Sequence, residues 1–92
     1  MINLEDEYLK ILKNILSKYE YKFYIFGSRV TPYIKPFSDI DIVYFDPIPI
    51  SDVVKLEEEF ENSDLPYTVD LIDFNQCDEE FQNTIKKNHI AI

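Results

Sequence analysis

A single glycine in ninety-two residues limits where this backbone can leave the conformations ordinary to L-residues. Only glycine enters positive φ readily and lets a backbone approach a ligand with no Cβ in the way. That glycine, Gly27, follows the apolar run 21–26 and precedes Ser28 and Arg29, the only arginine. Ten residues separate Ser28 from Asp39-Ile40-Asp41-Ile42. A strand there points both carboxylates to one side, with Cα atoms ~6.5–7 Å apart.

The apolar content bounds the fold. At 46% hydrophobic with seven Tyr and seven Phe, the chain can bury a core. Residues 1–92 are expected to form one small domain with little core to spare, which leaves room for homo- or hetero-oligomeric support. Eighteen acids face nine bases, for a net charge of −9. A nucleic-acid reader carries a basic stripe. Here the lysines are scattered and Lys86-Lys87 is the only adjacent pair, so no DNA or RNA binding is expected. Such an acidic chain suits divalent cations or a basic protein partner. The lone Cys77 excludes an internal disulfide and reads as a spectator thiol. The acidic start, Met1-Ile2-Asn3-Leu4-Glu5-Asp6-Glu7, is no signal peptide, and no apolar run approaches the ~18 residues of a membrane span. A cytoplasmic protein is expected.

The spacing of Tyr8, Leu12, Ile15, Leu16 and Tyr19 predicts an amphipathic helix over 4–19. Aromatic and β-branched content predicts strands over 21–26, 39–45 and 67–74. In the second of these, Asp39, Asp41 and Val43 face one side and Ile40, Ile42 and Tyr44 the other. Pro32 and Pro36 make the stretch from Arg29 to Phe37 irregular. A helix with Ser51 as N-cap runs to about Asn62 with Val53, Leu56 and Phe60 inward, and Glu57-Glu58-Glu59 form a solvated face. A last helix spans about 78–88, anchored by Phe81 and Ile85, with His89 near its end as a cap and the tail 89–92 as an edge strand. The order α-β-β-α-β-α describes an α+β fold, helices packed on a small mixed sheet.

Two chemical elements stand out. The Gly27-Ser28 turn can converge N–H groups on phosphate oxygens, with the Ser28 hydroxyl as a further donor; taken alone, a turn glycine is often only a turn. Walker A and G-x-G-x-x-G loops are excluded because each needs more than one glycine. The paired carboxylates repel each other unless a cation lies between them, and an oxygen-rich site of this kind suits Mg²⁺; in isolation they fit a solvent-facing strand equally well. The third strand adds Asp70 and Asp73, three apart and so on opposite faces. Asp70, mid-strand between Val69 and Leu71, is the one assigned to the site. Asp73, near the strand end, reads as a cap of the next turn. Tyr24 and Tyr44 read as core, and Tyr33 as a residue that can reach nucleotide or acceptor.

Gly27-Ser28, the gap of ten, Asp39-x-Asp41 and Asp70 on a later apolar strand together resemble the DNA polymerase β-type nucleotidyltransferase superfamily. More closely, the chain resembles the minimal nucleotidyltransferases of prokaryotes, the antitoxin halves of pairs with HEPN-domain proteins, over nearly its whole length. The resemblance implies a polymerase β-like fold and two Mg²⁺ ions binding ATP or another nucleoside triphosphate. It implies Gly27 and Ser28 at the β/γ phosphates, Asp39 and Asp41 as metal ligands, and Asp70 as the third carboxylate, which also helps activate the attacking hydroxyl. A nucleoside monophosphate, usually AMP, passes to an acceptor hydroxyl and pyrophosphate leaves. Arg29 is expected either to pair with a phosphate or to hold the loop by bonding a carboxylate such as Asp41. Where relatives carry a basic residue and a glycine after the arginine, this chain has Thr31 and Pro32, with Lys35 as the replacement charge. Two other functions fit the same fold: a non-catalytic protein that neutralises a partner by contact, and an enzyme modifying a small molecule such as an aminoglycoside.

Overall fold

The computed structural model describes residues 2–31 and 38–92. Its elements are α1 (Asp6–Leu16), β1 (Tyr24–Phe26), a 3-10 turn (Gly27–Val30), β2 (Ile40–Tyr44), α2 (Ile50–Glu61), β3 (Val69–Asp73), a second 3-10 turn (Phe74–Gln76), α3 (Glu79–Lys87) and β4 (His89–Ala91). The strands form one mixed sheet in the order β3-β2-β1-β4. β1 runs antiparallel to both β2 and β4, and β2 pairs parallel with β3. This is the expected α+β architecture, completed by the tail as an edge strand.

Local sequence explains most of the boundaries. Asp6 and Glu7 open α1 and Lys13 lies in its last turn, charges that match the helix dipole at both ends. Asp78 caps α3 by accepting a hydrogen bond from the Phe81 amide at 2.8 Å, and Lys86 and Lys87 close the helix. α2 begins two residues earlier than expected. Pro49 holds the N-cap position with no side-chain bond, so Ser51 lies inside the first turn. α1 is shorter than the expected 4–19, because the chain turns after Leu16 with Ser17 in the C-cap position. His89 is not a helix residue. It opens β4, and its Nδ1 meets the Ile85 carbonyl oxygen at 2.9 Å.

Each face of the sheet buries a different cluster. Ile25, Ile40, Ile42 and Tyr44 pack with Leu12, Ile15 and Leu16 of α1 and with Leu56 and Phe60 of α2. On the opposite face Phe26 and Val43 pack with Ile85 of α3. A Lys18–Glu59 ion pair at 2.7 Å and a hydrogen bond from the Tyr19 hydroxyl to Glu59 at 2.9 Å join the end of α1 to α2. Glu57 and Glu58 are solvated as expected, while Glu59 is half-buried and occupied by these contacts. No helix among the described residues is long and apolar enough to cross a membrane.

Candidate active site

Register brings the site together. Asp41 of β2 pairs with Asp70 of β3 on one side and with Phe26 of β1 on the other, and Phe26 pairs with His89. Directly paired residues share a face of a sheet, so Asp70, Asp41, Phe26 and His89 form one row on the α3 side. Asp39 lies two residues before Asp41, immediately before β2 begins, and so belongs to the same side. Asp73, paired with Tyr44, instead accepts a hydrogen bond from the Asn75 amide at 3.0 Å and caps the turn that follows. The alternation of β3 thus separates its two acids as expected.

Gly27 ends β1 beside Asp41. Its φ is +77°, and a Cβ built on it would lie 2.6 Å from Asp41 Oδ2. The conformation and the close approach both require glycine at this position. The Ser28 hydroxyl makes no hydrogen bond among the described residues and is half-buried, which leaves it as a donor beside the carboxylates. Thr31 closes the turn on the Ser28 carbonyl through its amide (3.4 Å) and its hydroxyl (3.1 Å). Pro32, Tyr33, Lys35 and Pro36 lie outside the described residues, and with them the expected roles of Tyr33 and Lys35.

The electrostatics of the row are those of crowded anions. Burial raises the Asp41 carboxyl to about 6, and the charges of Asp70 and Asp39 push it in the same direction. Among the described residues no three His, Cys, Asp or Glu side chains lie close enough together to hold a metal ion between them as they stand. The donor set nevertheless fits a divalent cation. It is all carboxylate oxygen, two of its acids are exposed to solvent, and its half-buried member carries mutual repulsion that a cation would relieve. Asp39, Asp41 and Asp70 are the residues that would hold it.

Of the two partners expected for Arg29, the carboxylate is not found among the described residues. Arg29 is 2% exposed, with Nη1 donating to the Asn3 carbonyl (3.2 Å) and Nη2 to the Ser38 carbonyl (2.7 Å). Its guanidinium carbon lies 4.2 Å from the centre of the Tyr67 ring. These contacts occupy both terminal nitrogens and one face of the guanidinium. Asn3, Glu5 and Tyr67, which surround it, carry no sequence signal, because their contacts join segments far apart in the chain. Cys77 is held at Sγ near the Asp73 carbonyl (3.4 Å). Burial raises its pKa, followed by the charges of Asp78 and Asp73, so it is a poor nucleophile.

A strand ending in a positive-φ glycine packed against a strand carboxylate, with another carboxylate in register on the next parallel strand, is the arrangement of a nucleotidyl-transferring enzyme. The family model described as "Polymerase beta, Nucleotidyltransferase" matches residues 10–92, and the chain belongs to that family. It is a nucleotidyltransferase of the polymerase β-like minimal type. It is also 35% identical over 95 residues to a protein of Haemophilus influenzae described as "Probable protein adenylyltransferase MntA", an alignment covering 99% of this chain and 83% of that protein.

Proposed function

We propose that this protein transfers AMP from ATP to a hydroxyl of a partner protein in the cytoplasm, in a Mg²⁺-dependent reaction. The observation that carries the reading is the Asp41–Asp70 register pair with Gly27 packed against Asp41. The adenylyl group and the protein acceptor are supported by the name of the Haemophilus influenzae relative. The resemblance to minimal nucleotidyltransferases supports a HEPN-domain protein as that acceptor and an antitoxin role for this chain.

Each residue of the site then has a task. The Gly27 and Ser28 amides and the Ser28 hydroxyl bind the β and γ phosphates and orient the triphosphate. Asp39 and Asp41 hold Mg²⁺, and Asp70 completes the set. When bound, two Mg²⁺ ions neutralise the phosphates and stabilise the entering and leaving oxygens of an in-line displacement. Asp70 lies on β3, the edge strand, and accepts the hydrogen bond of the incoming hydroxyl. As the hydroxyl proton passes to Asp70 and on to solvent, the acceptor oxygen bonds to the α-phosphorus, the bond from that phosphorus to the oxygen bridging it to the β-phosphate breaks, and pyrophosphate leaves.

The test supplies ATP radiolabelled at the α-phosphate, Mg²⁺ and the product of the adjacent gene. A labelled partner, with label absent for Asp39→Asn, supports the reading. Stable complex formation with no label would replace it with neutralisation by contact. Transfer to an aminoglycoside but to no protein would replace it with small-molecule modification.

A further inference from the structure

Arg29 is the only buried charged side chain among the described residues, and the only ion pair there is Lys18–Glu59. Among the described residues its Nε has no hydrogen-bond partner. A buried cation with an unfilled donor and no counter-ion is an expensive component of a small core. Two charge-assisted bonds to carbonyls and an aromatic face offset part of that cost. What the arrangement provides is a fixed geometry between separate segments.

Those segments are the ones that carry the site. Ser38, whose carbonyl accepts from Nη2, immediately precedes Asp39. Tyr67, against which the guanidinium stacks, lies three residues before Asp70. The Arg29 backbone itself is two residues past Gly27. A second layer of contacts surrounds these. The Asn3 amide donates to the Arg29 carbonyl at 2.6 Å, and the Asn3 side chain donates to the Thr31 carbonyl. The Tyr67 hydroxyl donates to the Glu5 carboxylate at 2.9 and 3.1 Å, and Tyr8 packs edge-on to the Tyr67 ring at 5.8 Å.

We propose that Arg29 is the positioning residue of this active site: its planar fork, held between the Asn3 and Ser38 carbonyls and against Tyr67, sets the starts of the two carboxylate strands relative to the Gly27-Ser28 turn without touching nucleotide. The catalytic consequence rests on the nucleotidyltransferase reading above; the mechanical one does not. A lysine cannot substitute, because a single ammonium cannot span two carbonyls and stack on a ring together.

The experiment compares Arg29→Lys, Tyr67→Leu and Tyr67→Phe with the wild type, and adds Leu12→Val as a variant weakened in the core at a residue that makes none of the Arg29 contacts named above. Amide hydrogen exchange over 38–41 and 67–70 is expected to rise in Arg29→Lys and Tyr67→Leu. It should stay at the wild-type level in Tyr67→Phe, which keeps the ring, and in Leu12→Val. Calorimetric Mn²⁺ affinity should fall about tenfold in the first two, the usual effect of removing support behind metal ligands. The kcat should fall about a hundredfold while KM for ATP moves less than about threefold. Unchanged exchange in both segments overturns the proposal, and so does a rise in KM for ATP at constant kcat, the mark of a phosphate ligand. A wild type that binds no Mn²⁺ and transfers nothing defeats the nucleotidyltransferase reading, and the exchange measurements then still decide the clamp.

Discussion

Asp41 Oδ2 occupies space that any side chain at position 27 would need: a Cβ on Gly27 would lie 2.6 Å from it. The turn on β1 and the carboxylate on β2 are therefore one packed unit. Gly27→Ala must distort φ from +77° and displace Asp41 together. We expect a stability loss of about 1–3 kcal/mol, the usual range for one strained residue. A displacement near 1 Å at a reacting centre costs about a hundredfold in rate, so activity should fall more than the lost stability accounts for. Denaturant titration beside steady-state transfer checks this, and an Ala variant with wild-type kcat would refute the coupling.

The same packing makes Asp41 a source of pH-dependent stability. Its carboxyl is raised to about 6 by burial and by its acidic neighbours. Folded Asp41 thus keeps its proton at pH values where the unfolded chain has released it. Between the usual carboxylate range and about pH 6 the folded state binds more protons, so this contribution to stability falls as pH rises. Asp41→Asn removes that loss. The variant should be more stable than the wild type at neutral pH in chelator-containing buffer, with the difference closing as pH drops below the usual carboxylate range. Parallel stability curves for the two proteins would contradict this.

On the proposed function, Asp70 and Asp73 should separate catalysis from capping within one strand. Asp73→Ala removes the cap on the Asn75 amide and should cost about 1 kcal/mol, as caps do, with kcat unchanged. Asp70→Asn removes one of the charges that raise Asp41, so stability should hold or rise while transfer is lost. Thermal melts and single-turnover assays on both variants give the comparison. Loss of activity in Asp73→Ala with a silent Asp70→Asn would reverse the assignment.

The two acids were distinguishable in the sequence because strand alternation is a local rule that sets them on opposite faces, and Asp73 lies at the strand end, where an acid commonly caps the next turn. The same rule placed Ile40, Ile42 and Tyr44 on the helix-covered face. Arg29 escaped that logic. Its partners are the carbonyls of Asn3 and Ser38 and the ring of Tyr67, and neither a carbonyl nor a distant ring leaves a pattern in spacing. His89 meets both expectations, its ring closing on the Ile85 carbonyl at the end of α3 while its backbone opens the edge strand opposite Phe26. Strand ends were overextended where aromatic residues left the sheet. The Tyr21 hydroxyl donates to Asp52 at 2.6 Å, which ties that residue to α2.

Crowded carboxylates also predict how the protein responds to a divalent cation. A cation that binds only the folded state stabilises it by mass action, about 2.7 kcal/mol at a hundred times its dissociation constant. Mg²⁺ should therefore raise Tm in a saturable way, with the rise shrinking below about pH 6 as protons compete for the carboxylates. A chain of net charge −9 also gains from simple screening, so the control is NaCl at matched ionic strength. Asp41→Asn separates the two effects: it keeps nearly all of the net charge and loses a ligand. We expect its melting curve to follow NaCl and Mg²⁺ alike, whereas the wild type responds to Mg²⁺ alone beyond the screening baseline. An identical Mg²⁺ response in both proteins would remove Asp41 from the metal site.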